Sequence, residues 1–380
     1  MNAFLPYCPI VLYLVLPVGL IYVFLISFFY AGWKKIPPFR TPEKIAQTGI
    51  SVVIPVRNEE GSLPGLISDL NKQNYPNEYF EIILVNDHST DRSVEIIKDS
   101  IAGFSYISLA DNPGRGKKQA IIHGANLSHF DFIITSDADC RRGKNWLAAF
   151  AGFLHENKPR MILGPVLPLP GAGFLEKAKA LEFISLVASG AGAAGQGHPI
   201  MANGANLGFY KEELSLTKNP LKEEIPSGDD LFLMLNVKKN DPGNILFLKS
   251  GDAAVYTAMP KTWKSFLLQR KRWVSKSRFY RDFDLVFTAL VVFLTNLLLT
   301  FSLIAGFFSI SWLMGFFALW ILKMTPDLIF LRSATRFFGL KKLMRLFFPV
   351  QLIYFIYVSF AAFVGLMGGS YTWKGRKEFI

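Results

Sequence analysis

The chain has 380 residues, 51% of them hydrophobic, with a mean hydropathy of +0.29 and a formal net charge of +12. That oiliness excludes a single soluble domain and points to a membrane protein with a sizeable water-facing part. The positive charge calls for no nucleic-acid partner, because it is concentrated beside the apolar ends of the chain.

No Lys, Arg, Asp or Glu precedes Lys34, and the run from Tyr7 to Trp33 is long enough to cross ~30 Å of hydrocarbon as a helix. The pattern predicts a transmembrane anchor over residues 1–33. A secretory signal would need a basic first segment and a shorter apolar core. Lys34, Lys35 and Arg40 follow, and the positive-inside tendency sets the next domain, residues 45–282, in the cytoplasm. Cys8 lies in the anchor and Cys140 in that domain, so the pair does not suit a disulfide, and a reducing compartment fits.

Inside the domain the periodicity alternates. "ISVVIPV" (50–56), "FEIILVND" (80–87), "FSYISLA" (104–110) and "DFIITSD" (131–137) read as strands. Between them, "GSLPGLISDLNKQ" (61–73), a segment capped by Ser89 or Thr90 and reaching Lys98, and "GKKQAIIHGANL" (116–127) read as helices. The alternation predicts an α/β fold with a mainly parallel sheet and helices on both faces. In such sheets ligands bind at the carboxyl ends of the strands. Asn58 and Glu59 follow the first strand, Asp87 ends the second, Gly114 to Lys117 follow the third, and Asp137 and Asp139 end the fourth. Singly these are ordinary turn residues; together they mark one crevice.

Residues i and i+2 of an extended segment point the same way, so Asp137 and Asp139 are expected to face one hard cation. Mg²⁺ or Mn²⁺, held by one or two carboxylates and completed by substrate phosphates, suits that pair. Cys140 has no histidine beside it in sequence to activate a thiolate. The small residues 188–195, "ASGAGAAG", fit either a flexible stretch or close helix packing. In "PSGDDLFL" (226–233), Ser and Asp suit a helix N-cap, with Asp229 capping, and a carboxylate in a cleft also suits proton transfer. "QRKRW" (269–273) puts Gln269, Arg272 and Trp273 on one helical face, and the arginine fork suits a diphosphate. Lys261, Lys264, Lys271, Lys276, Arg278 and Arg281 crowd the same region and suit anionic lipid headgroups.

Residues 285–322 carry no charge and read as two crossing helices with a turn near 306–311; Lys323 and Asp327, four apart, suit a helical ion pair. A further uncharged run, Leu346 to Trp373, completes a C-terminal membrane region over 283–373, before a basic tail at 374–380. One crossing at the front and three at the back leave "WKGRK" outside, against the charge rule, so one C-terminal segment is expected to be re-entrant or interfacial.

The segments "SVVIPVRNEE", "VNDHSTD", "GRGKKQA", "SDADC", "NGANLGFY", "SGDD" and "QRKRW" resemble, in order and spacing, the family 2 glycosyltransferases, over roughly residues 45–280. The resemblance implies the Rossmann-like A-type nucleotide-diphospho-sugar transferase fold, and the flanking helices are similar to those of the family's membrane-integrated branch. It implies that Pro55, Arg57 and Glu59 line the nucleotide pocket, that Asp87 meets the base, and that Lys117, with Lys118 beside it, lies near the nucleotide. Asp137 is then near ribose and metal, and Asp139 is the direct metal ligand. Asp229 and Asp230 match a pair usually written Glu-Asp, with Asp230 the general base. Asn206 falls on the acceptor side, and Gln269, Arg272 and Trp273 meet the departing diphosphate. Asn86 and His88 depart from the Asp and Gly that the family more often shows.

The function expected from this resemblance is inverting, metal-dependent transfer of a sugar, of the UDP-hexose class, from a nucleotide-diphospho-sugar to a lipid or lipid-linked acceptor at a bacterial inner membrane. A processive polysaccharide synthase is the alternative, and four crossings are few for an extrusion channel. An inactive membrane scaffold is the alternative of another class, and the intact Asp137, Asp139, Asp230 and Arg272 speak against it.

Overall fold

The computed structural model describes residues 7–366, 370–373 and 376–379 apart from 45, 170, 216, 224, 226 and 275, with the side chains of 7–10, Cys8 among them, 362–366, 370–373 and 376–379 outside that description. The chain begins with helix α1 (Tyr7–Lys35) and enters an alternating region: β1 (Ile50–Val56), α2 (Leu63–Asn71), β2 (Phe80–Asn86), α3 (Ser93–Ile101), β3 (Ile107–Asp111), α4 (Lys117–Leu127) and β4 (Phe132–Ser136). There follow β5 (Arg141–Arg142), α5 (Trp146–Asn157), β6 (Met161–Leu163), β7 (Val166–Leu169), α6 (Phe174–Gly195), β8 (Asn206–Tyr210), α7 (Asp229–Asn240), β9 (Ile245–Phe247) and β10 (Val255–Ala258). The last part comprises α8 (Trp263–Val274), α9 (Phe283–Gly306), α10 (Ile310–Phe337), α11 (Phe347–Leu366) and an antiparallel hairpin of β11 (Ser370–Trp373) and β12 (Arg376–Phe379).

Seven strands form one sheet in the order β3-β2-β1-β4-β8-β6-β9. β1 pairs in parallel with β2 on one side and β4 on the other, with Ile50 opposite both Phe80 and Phe132, while β8 runs antiparallel to both its neighbours. Strands covered on both faces need apolar side chains throughout. The 0% exposure of Ile50, Val52, Val53 and Ile54 on β1, and of Ile133 and Ile134 on β4, meets that demand. Because β2 and β3 lie on one side of β1 and β4 on the other, the strand order switches between β1 and β4, where open α/β sheets bind ligands beyond the strand ends. A second sheet, β5-β10-β7, holds the chain that follows the Asp137 segment.

The chain divides into two compact units, and neither is one block of sequence. Residues 1–34, 171–192 and 260–369 form one; residues 35–170, 193–259 and 370–380 form the other. Most of α6 and all of α8, within the expected domain over 45–282, group with the long apolar helices. In that unit, Val11, Val15, Leu299, Phe316, Leu319 and Phe355 make an apolar core drawn from α1, α9, α10 and α11. Gly192 settles the small-residue stretch in favour of close packing, since a Cβ there would collide with the Phe29 carbonyl.

Among the described residues, four helices are long and apolar enough to cross a membrane: Val11–Lys35, Phe283–Gly306, Ile310–Phe337 and Lys341–Ala361. α11 runs to Leu366, and Tyr371, Thr372 and Trp373, good strand formers, lie in β11, so the last part of the expected run to Trp373 is strand. Of the expected tail, Arg376–Phe379 is strand, and residues 374, 375 and 380 lie outside the description.

Candidate active site

Four carboxylates and one ammonium gather in the sheet-bearing unit. Lys117 opens α4, and its Nζ lies 2.6 Å from Asp137 Oδ1 and 3.8 Å from Asp229 Oδ2. Burial alone would lower the Lys117 pKa, but Asp137, Asp229 and Asp230 outweigh it and hold the ammonium charged. Burial pushes the Asp229 carboxyl up; Lys117 opposes that, and Asp230 and Asp137 add to it. Lys118 Nζ donates instead to the carbonyls of Leu221 and Lys222, and its charge reaches Asp229 only more weakly than that of Lys117.

Asp229 and Asp230 are the first residues of α7, and the N-cap is Gly228, in the left-handed conformation at φ 88°. The capping role expected of Asp229 is thus corrected: glycine takes the cap, and the two carboxylates lie in the first turn, where the helix dipole favours negative charge. Asp230 is oriented by backbone. Its Oδ2 accepts from the Gly204 N–H at 3.0 Å and its Oδ1 from the Leu231 N–H at 2.7 Å. A carboxylate keeps further lone pairs after two such bonds, so it can still accept a proton. Gly204 belongs to the cluster in its own right: a Cβ there would stand 3.2 Å from Asp229 Oδ2 and 3.3 Å from Lys117 Nζ.

β4 ends at Ser136, and Asp137 to Asp139 lie in the turn beyond, closed by Cys140 N–H donating to the Asp137 carbonyl at 3.3 Å. Asp137 and Asp139 are therefore brought together by a turn and not by the pleat of an extended strand. Ligand atoms of Asp137, Asp139 and Cys140 lie within 4.8 Å of one another. The oxygen pair fits a hard cation such as Mg²⁺ or Mn²⁺. The sulfur does not, since burial, with Asp137 and Asp139 adjacent, pushes the Cys140 thiol up and keeps it protonated.

The nucleotide-side candidates converge beyond β1 and β2. Pro55 lies opposite Val85 in the parallel pairing. Arg57 Nη1 donates to the carbonyls of Asp87 and His88 at 2.7 and 2.9 Å, and the Glu59 N–H donates to Ser93 Oγ at 2.8 Å. Asp87 is 2% exposed and its Oδ1 accepts from Gly116 N–H at 2.8 Å and Asn112 Nδ2 at 2.9 Å, which ties it to the turn carrying Lys117. His88 has φ 55°, a left-handed backbone conformation that glycine adopts at least cost. Its Nε2 lies 2.7 Å from the Gly114 carbonyl, a second link between the same two loops.

Asn206, expected on the acceptor side, is held within the fold. It is 1% exposed, its Nδ2 donates to the carbonyls of Pro165 and Ala253, and its Oδ1 accepts from Trp146 Nε1, so its amide braces the floor of the sheet. Sequence reasoning missed Arg142, whose guanidinium donates to the carbonyls of Cys140 at 3.0 Å and Asp137 at 3.4 Å from below the turn and lies 4.9 Å over the Trp146 ring. Burial depresses it to about 10. No local pattern distinguishes it from the neighbouring Arg141, which pairs with Asp69. Gln269, Arg272 and Trp273 lie together on α8, in the other unit.

The sequence matches the family described as Glycosyl transferase family 2 over residues 51–184, and that described as Glycosyl transferase family group 2 over residues 132–366. An undecaprenyl-phosphate 4-deoxy-4-formamido-L-arabinose transferase of Aeromonas hydrophila is 42% identical over 98 residues, which are 24% of this chain and 28% of that protein. The chain thus aligns with less than a third of that relative's length. The probable glycosyltransferase YdaM of Bacillus subtilis is 25% identical over 370 residues, 85% of this chain and 82% of that one. Among solved structures, a mannosyltransferase from Pyrobaculum calidifontis in complex with GDP-Man and Mn²⁺ shares the fold, with a TM-score of 0.57 at 14% identity over 94% of this chain and 98% of that one.

Proposed function

This chain belongs to glycosyltransferase family 2, and on that premise we propose that it is a membrane-bound inverting enzyme that moves a sugar from a nucleotide-diphospho-sugar to a lipid or lipid-linked acceptor. The observation that carries the proposal is the cluster of Lys117, Asp137, Asp229 and Asp230 beyond the carboxyl ends of a doubly covered sheet. Pro55, Arg57, Glu59 and Asp87 supply the nucleotide side. Asp137 and Asp139 would hold Mg²⁺ or Mn²⁺, which when bound neutralises diphosphate charge.

Asp230 is the base of this reading. It takes the proton from the acceptor hydroxyl as that oxygen bonds to the anomeric carbon, while the bond from that carbon to the diphosphate oxygen breaks and the nucleoside diphosphate leaves with its electron pair. The backbone bonds to Asp230 fix the carboxylate's direction beforehand. Gln269, Arg272 and Trp273 are assigned to the acceptor and leaving group on the strength of their motif. Lys34 and Lys35 at the end of α1 and Arg40 after it support a cytoplasmic catalytic domain at a bacterial inner membrane. The relatives named for undecaprenyl-phosphate support a polyprenyl carrier as acceptor class. A phosphate acceptor is already anionic and needs no base, so the Asp230→Asn variant also reports on acceptor chemistry.

The test offers detergent-solubilised protein a panel of UDP-, GDP- and TDP-sugars with Mn²⁺ or Mg²⁺, with and without total lipid extract, and follows released nucleotide and product mass. Metal-dependent release that requires lipid and adds one sugar is the expected result. Long chains built without lipid would replace this reading by the processive synthase, and no release with any donor would leave the inactive scaffold.

A further inference from the structure

The second residue of "QRKRW", Arg270, is buried in an ion pair. Arg270 is 6% exposed, and its Nη2 lies 2.9 Å from Glu182 Oε2, a carboxylate whose side chain is 9% exposed. The guanidinium lies 4.2 Å over the Trp273 ring and 5.0 Å over that of Phe266, whose ring in turn stacks 5.1 Å from that of Tyr357 on α11. Phe183, next to Glu182, brings its ring to 6.4 Å from Trp273. One turn earlier on α6, Lys179 Nζ donates to the carbonyls of Pro260 and Thr262 at 2.7 and 3.0 Å and lies 4.8 Å over Phe266. Thr262 and Ser265 then cap the start of α8 reciprocally, each side chain accepting the other's backbone N–H.

Lys179, Glu182 and Phe183 stand at i, i+3 and i+4 and so share one stripe of α6. That stripe holds α8 at its first turn and again at the motif, all within one compact unit. Apolar packing alone would bring two helices together without fixing their rotation, and one residue of slip turns a helix by about 100°. A buried ion pair between defined atoms fixes it, and breaking one partner is costly because the other is left charged and dry.

We propose that Lys179, Glu182 and Arg270 are positioning residues of the transfer reaction, which set the rotation and register of α8 and thereby the presentation of Gln269, Arg272 and Trp273. The proposal rests on the function inferred above. It assigns Arg270 to structure within the motif.

The test uses the full-length protein in bilayer discs, with Glu182→Gln, Arg270→Gln and the charge-swapped Glu182→Arg/Arg270→Glu pair. Donor KM and kcat are measured, together with hydrogen exchange of the α8 amides. Each single variant is expected to lower kcat about 10- to 100-fold with donor KM within about threefold, the mark of lost presentation and not lost donor binding. Exchange over residues 263–274 is expected to quicken about tenfold or more, and the swap to recover most of both effects. Unchanged exchange in both single variants would overturn the proposal, as would a kcat loss that the swap leaves in place while nucleotide binding shows a folded protein. If the wild-type protein transfers no sugar with any donor, the proposed function fails on its own, and the exchange rates decide the α6–α8 lock alone.

Discussion

Two lysine–carboxylate clusters in this chain use the same residue types to opposite ends. Around Lys117, one ammonium faces Asp137, Asp229 and Asp230, with the Lys117 and Asp137 side chains 24% and 38% exposed. Negative charge is in excess there, and it is open to a cation or a proton. Around Lys323 the account is closed. Lys323 is 1% exposed, and its Nζ donates to Asp327 Oδ2 at 2.7 Å and Gln351 Oε1 at 2.9 Å, while Asp327 Oδ1 accepts from the Tyr22 hydroxyl at 2.8 Å. One charge meets one charge, and helices α1, α10 and α11 are tied by it. The difference is one of charge balance: unbalanced, reachable charge is what the proposed transfer needs, and a buried, matched pair is a clasp.

The comparison breaks if the exposed cluster tolerates losing its carboxylates. The largest effect is expected for Asp230→Asn, which should cut transfer to a hydroxyl acceptor about 10²- to 10⁴-fold while donor binding by titration stays near wild type. Full activity in that variant would remove Asp230 as the base. Next is Asp327→Ala, which strands Lys323 and should destabilise the protein by about 3–5 kcal/mol, whereas Lys323→Met combined with Asp327→Leu should recover most of the loss. Thermal unfolding in a fixed detergent measures both, and a double variant as unstable as the single one would show that the pair does more than close a charge balance.

A smaller effect is expected for Asp139→Asn, which should weaken Mn²⁺ binding about 10- to 100-fold by electron paramagnetic resonance, with the Lys117–Asp137 contact left in place. Unaltered Mn²⁺ affinity would move the ion elsewhere. The smallest concerns Asp69. Burial raises its pKa, but hydrogen bonds from Arg141 and from the Arg142 backbone outweigh this and hold it below the usual carboxylate range. A carboxyl depressed in the folded state contributes stability above its unfolded pKa of about 3.9, and that contribution is lost as pH falls through the folded value. The melting temperature of the wild type should therefore drop more steeply below about pH 4 than that of Asp69→Asn, and parallel curves would exclude the link.

Much of this was legible in sequence where the signal is local. Alternating strands and helices, the uncharged ends, the turn before Ile310 and the four-residue spacing of Lys323 and Asp327 are all short-range patterns, and the structure follows them. The choice between Lys117 and Lys118 needed the fold, because both occupy the start of one helix and only its rotation separates them. The bracing contacts of Asn206 were hidden for a similar reason: its partners Trp146, Pro165 and Ala253 are 60, 41 and 47 residues away. Nothing beside Glu182 in sequence announces Arg270, and nothing in the chain's linear order announces that α6 groups with helices 100 residues later.

That grouping has a consequence for synthesis. The sheet holding the carboxylates gains β9 against β6, and the second sheet gains β10 between β5 and β7, only after α6 has been made. A ribosome delivers α1 and α6 first, so the chain has committed both helices before either sheet is complete. Chains stalled before Ile245 would expose the unpaired edge of β6, and such intermediates should depend on early membrane engagement to escape aggregation.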